Sequence, residues 1–81
     1  MDTAAFTSKF VEEARDRLKA IGNALVKLEA QPQSPEIIKD IFREAHSLKG
    51  SSQMLGFVDI SQIAHQLEEL FIAAKRDASV V

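Results

Sequence analysis

Apolar residues along the chain recur at alternating spacings of three and four, the repeat that gathers side chains on one face of an α-helix. Val11, Ala14, Leu18, Ile21, Leu25 and Leu28 form one such seam, extended upstream by Phe6 and Phe10. It predicts a first helix over about residues 3–30. Gly22 lies inside it, at a cost of about 1 kcal/mol relative to Ala. A second seam, Ile38, Ile41, Ala45, Leu48, Ser52 and Leu55, predicts a helix over about 35–54. Ser34 suits its N-cap and Pro35 its first helical position, where a missing N–H does no harm. Gly56 is placed for a left-handed stop. The third seam is Ile60, Ile63, Leu67, Leu70 and Ala74, widened by Ala64 and Phe71, and predicts a helix over about 59–78. Asp59 with Gln62 approximates a capping box, and Val58 with Ile63 a hydrophobic staple.

No stretch alternates apolar and polar residues long enough for a strand. The links Gln31–Pro35 and Leu55–Val58 are short, so neighbouring helices must run antiparallel. The fold class predicted is all-α, an antiparallel up-down helical bundle. The third helix is apolar over a wider arc than one neighbour covers. A fourth helix is therefore expected, supplied by a segment after Val81 or by a second copy of the chain. Residues 1–81 are read as one domain, either a piece truncated at its C-terminal end or a free-standing small protein.

Composition narrows the function classes. The chain is 46% hydrophobic and 27% charged, too apolar for a disordered tail. It has no cysteine, hence neither disulfide framework nor thiolate chemistry. Its net charge is −2 with scattered Lys and Arg, which is no basic stripe for nucleic acid. No apolar run is long enough to span a membrane, and residues 1–5 lack the character of a signal peptide. A cytoplasmic location is expected. The charges Glu12, Glu13, Arg15, Asp16 and Arg17 read as a solvated face.

The candidate chemistry centres on His46, in Ala45-His46-Ser47-Leu48-Lys49-Gly50. At about 100° per residue, it points roughly 130° away from the centre of the second seam. Phe42, Lys49, Gly50 and Gln53 share its flank. The imidazole should be exposed, with a cation beside it and, at Gly50, no side chain to block approach. Folding the second and third helices back about Gly56 brings His46, His65 and Glu68 to roughly 15, 14 and 18 Å from the turn. A carboxylate at that height could hold one ring nitrogen of His46 and leave the other's lone pair to solvent. His65 and Glu68 are read as lying on the more polar side of their helix. Phe42, Leu48 and Met54 read as core or rim packing.

The run Ile41-Phe42-Arg43-Glu44-Ala45-His46-Ser47-Leu48-Lys49-Gly50-Ser51-Ser52, followed by Leu55-Gly56-Phe57 and by Ile63-Ala64-His65-Gln66-Leu67-Glu68, resembles the histidine-containing phosphotransfer (HPt) domain. It is most similar to the version that begins chemotaxis-type histidine kinases. The resemblance covers nearly the whole chain. It implies a phosphoryl carrier in two-component signalling, with His46 as phosphoacceptor and Lys49 supporting the phosphoryl group. It further implies that Glu68 and His65 form the hydrogen-bond network and that Gly50 gives access. The implied partners are a histidine kinase ATP-binding domain and a response-regulator receiver domain. No cofactor is expected on this chain itself, because it has no Walker pattern and no glycine-rich nucleotide loop; ATP and Mg²⁺ would come from the partners. Two alternatives remain open at this point. One is a helical interaction or homodimerisation module without phosphotransfer. The other is a metal set of His46, His65 and Glu68.

Overall fold

The computed structural model describes residues 3–80, with side chains described for 4–76. It contains three helices: α1 (Thr3–Ala30), α2 (Pro35–Met54) and α3 (Val58–Val80). Among the described residues there is no strand. The molecule is a rod of 51 × 19 × 15 Å. Helix α2 lies centrally and packs against both α1 and α3, which flank it.

Local sequence explains the boundaries. Ser34 is extended at the start of α2, and its side chain accepts from the Ile37 N–H at 3.3 Å, with Pro35 next in the first turn. At the other end, Gly56 has φ of +81°. Its N–H donates to the Gln53 carbonyl at 3.2 Å, and the Phe57 N–H donates to the Ser52 carbonyl at 2.8 Å. This pair is a Schellman closure, and it turns the chain back sharply.

The start of α3 differs from expectation. The helix begins at Val58, so Asp59 lies in its first turn rather than at the cap. The Phe57 carbonyl accepts from the Ser61 N–H at 3.0 Å instead. Val58 and Ile63 are 60% and 61% exposed and form no staple. The Schellman closure consumes Phe57 as its last residue, which leaves no spacer for a separate capping box.

Two core clusters draw on all three helices. Ile21, Ile38, Ile41 and Phe71 form one; Phe10, Leu48 and Ala64 form the other. Phe10 also stacks on Phe57, with centroids 4.7 Å apart. The α2 seam is buried from Ile38 to Ser52 as its period requires, with Leu55 exposed beyond it. Met54, read as core or rim, is 85% exposed, because two steps of about 100° past the buried Ser52 turn it to the opposite side of α2.

The outer seams divide. In α1, Ala14, Ile21 and Leu28 turn towards α2, whereas Val11, Leu18 and Leu25 stay exposed. In α3, Ala64 and Phe71 are buried, whereas Ile63 and Leu70 are exposed. Residues seven apart repeat on one side of a helix, so each seam contains two such sets and α2 covers only one of them. Glu13 and Arg17 also depart from a solvated face. Ser51 Oγ donates to Glu13 at 2.9 Å, and Arg17 joins Glu13 at 3.0 Å and Glu44 at 3.1 Å, tying α1 to α2. No helix among the described residues is long and apolar enough to cross a membrane.

Candidate functional site: a histidine held by a carboxylate

His46 lies midway along α2, one residue past Ala45, which is completely buried in the seam. The 100° step takes its ring out of the core, and its side chain is 62% exposed. Glu68 approaches from α3. Its neighbours at i−7, i−4 and i+3 are Ser61, Ala64 and Phe71, all buried, so Glu68 sits on the face turned towards α2 and not on the polar side of its helix. Its side chain is only 11% exposed. Oε2 of Glu68 lies 3.1 Å from Nδ1 of His46.

Lys49 completes the group from one turn further along α2. Its Nζ donates to Oε1 of Glu68 at 3.0 Å and reaches Oε2 at 2.9 Å. These bonds hold the Glu68 carboxyl below the ordinary carboxylate range. The Lys49 hydrogen bond is the largest cause, His46 adds to it, and partial burial opposes it. Glu68 is therefore ionised at neutral pH and can only accept. The shared proton belongs to Nδ1 of His46, which leaves Nε2 of the neutral ring with a free lone pair on the exposed side. An imidazole of fixed tautomer, next to a cation, has the arrangement that nucleophilic chemistry at Nε2 requires.

Gly50 lies four residues beyond His46. A Cβ built there would meet nothing within 4 Å, so no packing inside this chain requires glycine. His65 does not join the group. Its ring lies one step past the buried Ala64, faces solvent, and has Glu69 Oε1 3.4 Å from its Nε2. Among the described residues no three His, Asp or Glu side chains converge as a metal set. Phe42, assigned by sequence to core or rim packing, also stacks against the His46 ring. An aromatic residue at i−4 was the available signal for that contact.

The sequence and the fold have counterparts in known proteins. The Hpt domain model matches residues 5–81. The chemotaxis protein CheA of Halobacterium salinarum is 40% identical over 65 residues, covering 80% of this chain and 10% of that protein. CheA of Bacillus subtilis is 33% identical over 75 residues, covering 93% and 11%. A gliding motility regulatory protein of Myxococcus xanthus is 35% identical over 79 residues, covering 93% and 10%. The chain thus spans about a tenth of the length of these relatives. The CheA phosphotransferase domain from Thermotoga maritima superposes with a TM-score of 0.88 at 28% identity, over 95% of this chain and 72% of that one. A match of this extent, on an all-helical chain that presents a carboxylate-held histidine, places the protein in the Hpt domain family, the histidine-containing phosphotransfer domains that carry phosphoryl groups in two-component signalling.

Proposed function

We propose that His46 is the residue that carries the phosphoryl group. The observation that supports this best is the bond from Nδ1 to Glu68, which directs the Nε2 lone pair to solvent. In the forward step Nε2 attacks the γ-phosphorus of ATP held by a kinase ATP-binding domain. A P–N bond forms, the bond from phosphorus to the bridging oxygen breaks, and ADP leaves with its electron pair. In the onward step a carboxylate oxygen of a receiver-domain aspartate attacks phosphorus, and the P–N electron pair returns to Nε2.

Nucleotide and Mg²⁺ belong to the partners; this chain contributes nucleophile, orientation and docking surface. The proton stays on Nδ1 of His46, donated to Glu68, through both steps, so the imidazolium formed on phosphorylation is stabilised in place. Lys49 offsets the phosphoryl charge, on the scale of a charge-assisted hydrogen bond, about 1.5–3 kcal/mol. Gly50 leaves room for a partner's backbone above the ring. His65 plays no direct part in orienting His46 in this reading. The exposed rows Val11, Leu18 and Leu25 of α1 and Ile63 and Leu70 of α3 support a further helix against them, from another segment or a second copy. The setting proposed is cytoplasmic.

Incubation with a cognate kinase and labelled ATP tests the assignment. An acid-labile, base-stable label that disappears in His46→Gln is the expected result; a label that survives the substitution rejects His46.

A further inference from the structure

Phe42 stands just over one turn before His46 on α2, and the two rings are stacked, with centroids 6.1 Å apart and planes 17° from parallel. Phe42 is itself half-buried and packs against the cluster of Ile21, Ile38, Ile41 and Phe71. The largely exposed imidazole therefore has one face next to a side chain anchored in the interior.

This contact restrains a motion that Glu68 leaves open. The χ2 torsion of histidine is soft and roughly two-fold. One hydrogen bond at Nδ1 draws a single ring atom towards Glu68, yet rotation about χ2 can still swing that atom out of line and release the bond that holds the tautomer. The lone pair on Nε2 lies in the ring plane, so the orientation of that plane sets the direction from which phosphorus must be approached. An aromatic face fixed in the core restricts the plane, and offset stacking of this kind is a favourable arrangement. Two restraints of different type then determine the lone pair: an in-plane hydrogen bond and an out-of-plane ring contact.

Resting on the reading of His46 as phosphoryl acceptor, we propose that Phe42 is a positioning residue that sets the ring plane of His46 and so aims Nε2 at the incoming phosphorus. It touches no reacting atom. Its effect on the reaction passes entirely through the imidazole.

Phosphoramidate tests this without any kinase. In the zwitterionic anion the nitrogen already carries three hydrogens; Nε2 attacks phosphorus, the donor P–N bond breaks, and ammonia leaves with the electron pair. Uptake is followed in the full chain for wild type, Phe42→Leu, Phe42→Met, Phe42→Tyr and His46→Gln, with helicity and melting recorded for each. The ¹⁵N spectrum of the His46 side chain reports its tautomer.

Phe42→Leu is expected to slow uptake about fivefold, equivalent to about 1 kcal/mol of barrier, and to turn a dominant Nδ1–H tautomer into a mixture. Phe42→Tyr, which keeps the ring, restores both rate and spectrum. If Phe42→Leu fails to fold, Phe42→Met supplies the same comparison. A folded non-aromatic variant with wild-type rate and tautomer overturns the proposal. So does slowed uptake with an unchanged spectrum and no rescue by tyrosine, which would mark Phe42 as structural only. Uptake undiminished in His46→Gln rejects the acceptor assignment itself, whatever the Phe42 variants do.

Discussion

Glu68 joins His46 and Lys49 through one carboxylate: Oε2 is 3.1 Å from the imidazole Nδ1 and 2.9 Å from the ammonium, and Oε1 is 3.0 Å from the same ammonium. The acid is nearly buried while the histidine is exposed, so orientation is held from inside the fold and reactivity is offered outside it.

Replacing that acid with its amide isolates the orienting function. Glu68→Gln keeps the shape but removes the charge, and its amide can present either a donor or an acceptor to Nδ1. The tautomer is then no longer imposed. Phosphoryl uptake from kinase and ATP is expected to fall roughly tenfold to a hundredfold, the scale of a misaligned reacting group. Rapid-quench measurement of labelled His46 checks this. An unaltered rate would mean that the carboxylate is only a structural ion-pair partner of Lys49.

The same bonds give stability a pH dependence. The folded-state pKa of Glu68 is depressed, chiefly by the Lys49 hydrogen bond and then by His46. That of Glu13 is depressed too, by Ser51 first and Arg17 second, though Glu13 is 42% exposed and screening reduces its share. For a carboxylate with a lowered folded pKa, the contribution is present above its unfolded value, near 4.5, and is lost as pH falls through the lower folded value. Urea melts taken from neutral pH downwards should show stability declining below about pH 4.5. In Glu68→Gln the decline should be shallower than in wild type. Parallel curves for the two proteins would show that Glu68 does not carry this linkage.

Local features of this fold are legible in the chain, and features set by a neighbour are much less so. The Ser34–Pro35 start and the Gly56 stop depend on a few adjacent residues, and both occur as read. The exposure of His46 follows from helical phase alone, and the approach of Glu68 from counting residues about the turn. Periodicity identified the α1 seam but could not tell that Leu18 and Ile21 would have different fates, because both obey the repeat and only the position of α2 separates them. Counting levels also placed His65 beside His46; level ignores azimuth, and the 100° step past Ala64 turns that ring to Glu69. The tie made by Glu13 and Arg17 had a signal that charge type obscured. The two residues lie at steps of three and four between Phe10 and Ile21, so they share the core-facing side.

Gly50 and Gly56 should respond in opposite ways to alanine. Gly50 is helical with open space where a Cβ would stand, so Gly50→Ala removes only the flexibility of glycine and should stabilise the fold by about 0.5–1 kcal/mol. The added methyl lies beside the approach to Nε2, so phosphotransfer to a receiver domain should slow even as melting temperature rises. Gly56 holds φ of +81°, and Gly56→Ala should destabilise by about 1–2 kcal/mol. Thermal melts and transfer kinetics on both variants check the pair. A Gly50→Ala protein that is more stable and transfers at the wild-type rate would remove access as the reason for glycine there.

The division of the α1 and α3 seams also has a measurable consequence. Ile41 is completely buried where α1, α2 and α3 meet, and truncating such a side chain leaves a cavity among Ile21, Ile38 and Phe71. Ile41→Ala is expected to cost about 2–5 kcal/mol. Leu18 obeys the same repeat but is 54% exposed, so Leu18→Ala should cost about 1 kcal/mol or less. For a chain of this size each kcal/mol shifts the midpoint by about 4–8 °C, so thermal unfolding resolves the two. The comparison should be made over a range of protein concentrations. A Leu18→Ala cost equal to that of Ile41→Ala would mean that the row formed by Val11, Leu18 and Leu25 is covered in solution. A concentration-dependent midpoint would then identify a second copy of the chain as the cover.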